Sequence, residues 1–417
     1  MWFLLSVLIN NTMVQCYIAS SFSHSNSEPH IHIQNRGIRK MTIFHINCNY
    51  MSTALHQIMI RHLNKYVPNN VVFAPVSEKT IVVVEPDKNV IVSKCFKKID
   101  RYFFHYKQNK IYKAVQNNCE IENSKCIYAY TVFTDGNVAY RLSQRLNIPY
   151  VVAIRDTDLN LFFKKFFWLR KTGVKILLNA NVVLFLSNGY KNQLLRKYIP
   201  EKYRELIEQK SRIVPNGIDD FWFDNIGDVS DCLHKAKRIK HRELVLIFVG
   251  TICKRKNVST AIKAASILIQ RGWNITFNVV GKMVDNEESN DVEQCEFVHY
   301  YKHMNKEKLI STYRSSDLFV MPSYTETFGL TYAEALTQGL PVIYSKDQGF
   351  DKQFNDGEVG YSVNPYSADD IANKIELICQ KYDEIAPFCI SKAEKFRWDS
   401  ICKQYQDIFS SVITKEE

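Results

Sequence analysis

Two glutamates, Glu326 and Glu334, flank a short segment that contains Phe328-Gly329. If a helix begins near Gly329, its free N–H groups and the positive end of its dipole face the loop that carries Glu326. Such a helix N-terminus suits a diphosphate. Glu334 then lies more than one helical turn further on, where a carboxylate can accept hydrogen bonds from two hydroxyls of a ribose. The alternative is an amphipathic helix with one exposed glutamate and a glycine C-cap.

A second candidate is a basic turn that follows a glycine. Phe248-Val-Gly250 ends an apolar run, and Lys254-Arg255-Lys256-Asn257 comes shortly after it. Arginine holds phosphate oxygens in a bidentate fork and lysine supplies a point charge, so Arg255 and Lys256 can stabilise a leaving nucleotide as its negative charge grows. A solvated basic turn is the other interpretation of the same residues.

Two further polar segments follow predicted strands. Arg155-Asp-Thr-Asp158 comes directly after an apolar run, and its charges either contact a ligand or form a structural ion pair between Arg155 and Asp156 or Asp158. Asn47-Cys-Asn-Tyr-Met51 follows the first predicted strand and contains no glycine. This loop is therefore expected to be stiff and poorly suited to close backbone approach.

The elements that carry these residues alternate between strand-like and helix-like runs in both halves of the chain. This alternation predicts parallel sheets covered by helices, with a second Rossmann-like unit beginning at Leu244–Val249 and Gly250. The predicted strands are Thr42–Ile46, Val71–Phe73, Ile81–Val84, Ile127–Phe133, Tyr150–Ile154, Val182–Leu186, Leu244–Val249, Ile275–Val280, Phe297–Tyr300, Leu318–Met321 and Val342–Ser345. The predicted helices are Ala54–Tyr66, Val138–Leu146, Val258–Gln270, Lys306–Ser315, one after Phe328, Asp369–Gln380 and Ala393–Ser411. A polar stretch that ends near Lys240 is expected to be the domain joint.

Composition bounds the class of protein. The 417 residues predict two domains, and 46% apolar with 23% charged residues is normal for a soluble globular chain. The net charge of +11 favours anionic partners without choosing among phosphate, lipid headgroup and nucleic acid. The absence of a recognised module disfavours nucleic acid. Eleven scattered cysteines without zinc spacing indicate a reduced, cytoplasmic chain, and no apolar run approaches the about 18 residues of a spanning helix.

The first forty residues are expected to be a polar leader outside the natural chain, which would start at Met41. Met1–Ile9 is apolar, but no basic region precedes it and Asn10-Asn11 closes it quickly. A cleaved signal peptide is the alternative.

From Met41 to the C-terminal helix, and most strongly from Leu246 onward, the chain resembles the retaining glycosyltransferases of family 4, which include sucrose-phosphate synthase and glycogen synthase relatives. The motifs that carry the resemblance are Ser316-Asp-Leu-Phe-Val-Met-Pro-Ser323, Glu326-Thr-Phe-Gly-Leu330, Glu334-Ala-Leu336, Gly339-Leu-Pro-Val342 and Gly360-Tyr-Ser-Val363. The resemblance implies an α/β fold of the GT-B type, in which two Rossmann-like domains face a central cleft. The implied parts are an acceptor domain at 41–215, a nucleotide-sugar donor domain at 216–395 and a helix at 396–417 that crosses back to the first domain.

The resemblance also implies roles for individual residues. The first glutamate contacts the donor sugar, the backbone N–H groups that follow it approach the diphosphate, and the second glutamate binds the ribose. The implied catalytic residues are Glu326, Arg255, Lys256 and Arg155; the donor-binding residues are Gly250, Phe328, Gly329, Leu330 and Glu334; and the acceptor-side residues are Asn47 and Asp158. Two positions depart from the pattern, because Thr251 stands where many relatives have arginine and Arg155 where many have histidine.

The implied reaction is transfer of a hexose from a UDP- or GDP-linked sugar to a saccharide or lipid-linked acceptor, with retention of configuration and without a metal or another cofactor. Synthesis of polysaccharide or glycolipid is the expected role. Two alternatives from other classes stay open: a catalytically silent subunit that binds nucleotide-sugar and supports a partner, and a phosphorylase or epimerase on the same architecture.

Two segments that mix basic and aromatic residues, Lys94–Phe104 and Leu159–Lys171, have the composition of an interfacial surface helix. They predict a peripheral contact with the inner face of the membrane. Core packing with a solvated basic edge explains the same composition equally well.

Overall fold

The computed structural model describes residues 42–80, 88–284 and 286–414. The predicted leader, the predicted start at Met41 and the predicted strand Ile81–Val84 lie outside these residues. The chain divides into two compact units. The first contains the described residues up to Ala153, then Trp168–Val183 and the chain from Tyr405; the second contains Ile154–Phe167 and Leu184–Gln404. The domain boundary predicted near residue 215 stays a prediction.

The first sheet has seven strands in the order β3-β2-β1-β4-β5-β6-β7. These strands are β1 (Thr42–Ile46), β2 (Asn69–Ser77), β3 (Val90–Phe96), β4 (Cys126–Ala129), β5 (Tyr150–Ala153), β6 (Val182–Phe185) and β7 (Ser211–Ile213). The pairings that join β3, β2, β1, β4 and β5 are parallel. The strand order reverses between β1 and β4, so the loops after these two strands flank a topological switch point.

The second sheet has six strands, all joined by parallel pairings, in the order β10-β9-β8-β11-β12-β13. The strands are β8 (Glu243–Val249), β9 (Asn274–Val280), β10 (Val298–Tyr301), β11 (Leu318–Met321), β12 (Val342–Ser345) and β13 (Gly360–Val363). The central strands are continuous apolar runs whose side chains are buried, because helices cover both faces of a parallel sheet. The order of this sheet reverses between β8 and β11, which creates a second switch point.

The described residues also contain fifteen α-helices. They are α1 (Ala54–Tyr66), α2 (Phe104–Asn118), α3 (Gly136–Leu146), α4 (Arg170–Asn179), α5 (Asn188–Tyr198), α6 (Glu201–Gln209), α7 (Phe221–Asp224), α8 (Val229–Lys240), α9 (Val258–Gln270), α10 (Asn286–Gln294), α11 (Lys306–Ser315), α12 (Leu330–Thr337), α13 (Ala368–Gln380), α14 (Tyr382–Ala393) and α15 (Trp398–Ile413). A π-helix covers Thr157–Phe163. Within the part of the chain that the structure describes, no helix combines the length and the apolar character needed to cross a bilayer.

The predicted class, α/β with two Rossmann-like sheets, is confirmed, but several elements differ. The strand predicted at Ile127–Phe133 ends at Ala129, where the chain turns toward α3. The polar stretch predicted as a joint is largely α8, which begins at Val229 because the Asp228 side chain accepts a hydrogen bond from the Ser230 N–H. The helix predicted at Ala393–Ser411 begins later, at Trp398, because α14 ends at Ala393 and a short 3₁₀ turn at Glu394–Phe396 separates it from α15.

Candidate functional site at the switch point of the second sheet

Lys256 and Glu326 meet at the carboxyl edge of the second sheet. Lys256 follows β8 and Glu326 follows β11, the two strands that flank the switch point where open α/β sheets bind ligands. The Lys256 ammonium group donates to the Glu326 carboxylate, and the two side chains are only 13% and 9% exposed. The basic motif that contains Lys256 and the acidic motif that contains Glu326 are far apart in the sequence, but they form one site in the structure.

The basic turn is attached to the loop that carries Glu326. Asn257 adopts a left-handed conformation with φ of 58°, which asparagine tolerates better than most residues. Its side-chain amide donates to the carbonyl oxygens of Pro322 and Pro365, both at 2.8 Å. The Arg255 guanidinium donates to the Thr325 carbonyl at 2.8 Å but stays exposed. Lys256 is thus held in place, which disfavours a merely solvated turn.

Hydrogen bonds hold both the backbone and the carboxylate of Glu326 in place. The Glu326 N–H donates to the Gln348 side chain at 3.0 Å, and the Gly349 N–H donates to the Glu326 carbonyl at 2.8 Å. The Thr327 N–H donates to the carboxylate itself at 3.1 Å. A Cβ atom at Gly349 would lie 2.1 Å from the Thr327 carbonyl, so only glycine permits this approach of the two loops.

The helix N-terminus predicted after Glu326 is present as the start of α12. Gly329 precedes it with φ of 78°, and a Cβ atom there would lie 2.5 Å from the Tyr332 ring. Among the described residues, no acceptor takes a hydrogen bond from the backbone N–H of Phe328, Gly329 or Leu330. Three successive N–H groups at the positive end of a helix, beside Lys256, form an arrangement that binds phosphate oxygens.

Glu334 is the fifth residue of α12 and is half-buried. Burial removes water from its carboxyl group and raises the pKa from 4.5 to about 7, while Lys306 lowers the pKa and Asp219 raises it. The buried Tyr313 hydroxyl also lowers this pKa, although no hydrogen bond of ordinary geometry reaches that hydroxyl from any described residue. A polar ligand that donates hydrogen bonds to Glu334 would replace the missing water.

Asp156 is a residue of the site that the sequence interpretation considered only as an ion-pair partner. Its carboxylate oxygen Oδ1 accepts from Asn160 at 2.7 Å, from the Tyr190 hydroxyl at 3.0 Å and from the Thr327 hydroxyl at 3.1 Å. Since Thr327 is next to Glu326, Asp156 connects the segment after β5 to the Glu326 loop within the second unit. In the sequence, only the position of Asp156 within the motif Arg155-Asp-Thr-Asp158 could have indicated that it belongs to the site.

Arg155 and Asp158 flank Asp156 but have different contacts. Asp158 is fully buried and accepts a hydrogen bond from the Arg155 N–H at 3.0 Å. The Arg155 guanidinium donates to the Asn216 side chain at 3.1 Å. A contact of either side chain with a substrate stays a prediction.

Gly250 and Asn47 follow the central strands β8 and β1 of the two sheets. A Cβ atom at Gly250 would meet only ordinary contacts, the nearest being 3.6 Å from the Met321 sulfur, so packing does not require glycine there. Asn47 is fully buried in the first unit, where its side chain bonds to His56 at 3.1 Å and accepts from the Asn49 N–H at 3.0 Å. Their donor and acceptor roles stay predictions.

Within residues 42–80, 88–284 and 286–414, no group of three or more His, Cys, Asp or Glu side chains is placed to hold a metal ion. Metal independence of the reaction stays a prediction.

Comparison with known sequences identifies the region that contains the site. A family model described as "Glycosyl transferases group 1" matches residues 230–396. A D-inositol 3-phosphate glycosyltransferase of Pseudarthrobacter chlorophenolicus is 31% identical over 149 residues, which cover 34% of this chain and 35% of that protein. An alpha-monoglucosyldiacylglycerol synthase of Acholeplasma laidlawii is 24% identical over 258 residues, covering 57% of this chain and 63% of the relative. The chain therefore spans less than two thirds of either relative.

Solved structures support the fold over a larger part of the chain. Sucrose-phosphate synthase of Thermosynechococcus elongatus aligns with a TM-score of 0.67 at 19% identity, covering 90% of this chain and all (100%) of that one. HepE of Anabaena in complex with UDP aligns with a TM-score of 0.64 at 16% identity, covering 89% and 100%. The matches confirm the resemblance predicted from the motifs: residues 230–396 are similar to the group 1 glycosyl transferases, in a chain with the GT-B fold.

Proposed function

We propose that this protein is a retaining, metal-independent glycosyltransferase that moves a hexose from a UDP- or GDP-linked donor to a hydroxyl of a saccharide or lipid-linked acceptor. The observation that carries the proposal is the cluster at the start of α12. Three unpaired backbone N–H groups, the Lys256–Glu326 pair and the half-buried Glu334 lie on or beside one helix. These groups match the diphosphate, the sugar and the ribose of a nucleotide-sugar. UDP, which is present in the HepE structure, is the first nucleotide to test.

The proposed reaction is a displacement on one face of the sugar. The bond between the anomeric carbon and the donor phosphate breaks, the acceptor oxygen bonds to that carbon from the same face, and the acceptor proton passes to the leaving phosphate oxygen. The products are a glycoside and a nucleoside diphosphate. Lys256, the exposed Arg255 and the N–H groups of α12 stabilise the charge that develops on the leaving group. Glu326 orients the sugar through its hydroxyls.

A catalytically silent nucleotide-sugar-binding subunit is the second candidate. The observation that favours it is Arg155, which replaces the histidine of many relatives and donates to Asn216. A silent subunit would bind donor without releasing nucleoside diphosphate in the presence of any acceptor. We place Arg155 near the reacting sugar, where it contacts a donor phosphate or an anionic acceptor.

A thermal-shift screen of residues 41–417 against UDP, GDP, ADP and their common sugar conjugates tests the donor site. We expect one nucleotide family to raise the Tm selectively, by an amount that grows with concentration as binding to the native state requires. Glu334→Ala should lose this shift because the ribose loses its carboxylate acceptor. Glu307→Ala, which removes an exposed acid from α11, should keep it. No shift with any nucleotide would contradict the transferase assignment while leaving the fold unaffected.

Glycolipid synthesis would bring the protein to a membrane surface, and the two basic-aromatic segments supply a contact. Residues of the segment near α2 are strongly exposed: Ile99 at 60%, Tyr102 at 50% and Phe103 at 61%. In the other segment Phe167 is 66% and Trp168 is 58% exposed. Exposed cationic side chains accompany the exposed apolar ones: Lys97, Lys98 and Arg101 in the first segment, and Lys164, Lys165 and Lys171 in the second. We propose that they dock on anionic lipid, since rings enter the interface while cations meet the headgroups.

Co-sedimentation with vesicles tests this contact. Vesicles that contain phosphatidylglycerol should retain the protein at low salt and release it as salt is raised, because the ions screen the attraction. Phe103→Glu should lower retention, whereas Phe388→Glu, at a position that is 57% exposed outside both segments, should not. Equal retention of the two variants, or no retention of the wild type, would exclude the proposed contact.

A further inference from the structure

A polar cavity of about 360 Å³ lies in the first unit, between three helices, and shares no residue with the donor site. Its walls are formed by His105, Gln108 and Asn109 of α2, Asn137, Tyr140 and Arg141 of α3, and Thr172, Lys175 and Ile176 of α4. The volume falls within the range of small-molecule sites. None of the described residues that line it is acidic.

Gln108 lines the cavity and carries a buried polar group. Its side chain is 1% exposed, yet neither the amide nitrogen nor the amide oxygen has a hydrogen-bond partner among the described residues. A buried amide without partners is unfavourable for the folded state, and such groups in native proteins call for an explanation. A ligand hydroxyl, which both donates and accepts, would satisfy Gln108.

The cations around Gln108 favour an anionic group on the same ligand. Arg141 is held in place by donating to Asn109 at 2.8 Å and by packing its guanidinium 3.9 Å from the centre of the Tyr112 ring. No described carboxylate pairs with Arg141 or Lys175, so both charges are available. All lining residues come from the first two turns of α2, α3 and α4, the ends of a helix that attract negative charge.

We propose that this cavity binds the phosphate ester of a polyol, with Arg141 and Lys175 on the phosphate and Gln108 on a hydroxyl. A free sugar or glycerol phosphate and the headgroup of a phospholipid share this chemistry. The site is separate from the donor site, so it stands or falls independently of the proposed transferase activity.

Titration calorimetry with sn-glycerol 3-phosphate at constant ionic strength is the first test, with glycerol as the uncharged control. Lys175→Gln should weaken binding by about tenfold or more, as expected when a charge-assisted contact is lost. Lys113→Gln removes an equal charge from an exposed position of α2 outside the cavity and should leave binding unchanged within about twofold. If both variants weakened the binding of glycerol 3-phosphate equally, the effect would come from net charge alone, and the proposal would be overturned.

Gln108→Leu gives a second readout that does not depend on charge. It should raise the Tm of the protein alone, because a buried unpartnered amide is removed, and abolish the Tm shift caused by glycerol 3-phosphate. A purely structural glutamine would give the opposite sign, a lower Tm of the protein alone.

Vesicles containing phosphatidylglycerol distinguish the two sources of the phosphate ester. Retention that Lys175→Gln abolishes and Lys113→Gln preserves would identify a lipid headgroup as the ligand. Binding of glycerol 3-phosphate, together with vesicle retention that the two variants change equally, would identify a free phosphate ester. Absence of binding to the soluble ester together with equal vesicle retention of both variants would overturn the site.

Discussion

Replacing Lys256 with methionine should lower the turnover of the nucleotide-sugar by about 100- to 1,000-fold. Methionine keeps the length of the side chain but removes the charge that lies against Glu326 and beside the N–H groups of α12. The same change should lower the free energy of unfolding by about 3 kcal/mol, because it leaves the Glu326 carboxylate buried without its partner. Release of nucleoside diphosphate from the donor found by thermal shift measures the first effect, and urea unfolding measures the second.

The double variant Lys256→Met, Glu326→Gln separates the structural from the chemical role of the pair. It removes both charges, so we expect most of the lost stability to return while turnover stays low. Lys254→Met changes an exposed lysine of the same turn and should leave both quantities near wild type. Recovery of turnover in the double variant would show that Lys256 acts only as a structural partner of Glu326 and would contradict the proposed role.

The members of this pair could be selected from the sequence, but the pair itself could not. Lys256 and Glu326 lie 70 residues apart, and each motif alone indicates only phosphate chemistry or sugar contact. Their meeting depends on β8 and β11 being neighbours, which is a property of strand order. The contacts of Asp156 could not be predicted for the same reason: two of its three hydrogen-bond donors, Tyr190 and Thr327, lie far from it in the sequence.

Local pattern predicted those elements whose residues alternate or repeat with a clear period. The predicted bounds of α1, α9 and β12 match the structure, since apolar residues and end signals agree there. The strand β3 and the helix α2 were not predicted. Most of α2 is polar, and only Gln108, Ile111 and Val115 are buried, so the contacts made in the folded unit rather than the sequence period define its inner face.

Glu334 is expected to make donor binding depend on pH. With a pKa of about 7, the carboxyl group is roughly one tenth ionised at pH 6 and nine tenths ionised at pH 8. Ribose hydroxyls donate to the ionised form, so the Kd of the nucleotide-sugar should fall by about tenfold between these pH values. The sugar conjugate is the right probe, because its diphosphate lacks the terminal ionisation of a free nucleoside diphosphate. Glu334→Gln should bind more weakly at pH 8 and show no such dependence.

The same residue should lower the stability of the free protein at high pH. Because the pKa is raised from 4.5 to about 7 on folding, the stability linked to the protonated group is fully present below pH 4.5 and is lost as the pH rises through 7. Relative to wild type, Glu334→Gln should therefore gain about 2 kcal/mol between pH 5 and pH 8, less than a fully buried carboxyl would give. Comparing the two proteins at each pH cancels the titration of Asp135, whose pKa burial raises to about 6, and of His45, whose pKa burial lowers to about 4.

A variant that is more stable at pH 8 yet binds the donor less tightly would identify Glu334 as a group kept for its ligand, since a carboxyl group retained for folding would lose stability when replaced. Equal urea midpoints of wild type and Glu334→Gln at pH 5 and pH 8 would contradict the raised pKa. An unchanged affinity of Glu334→Gln for the nucleotide-sugar would show that the ribose does not bind at α12.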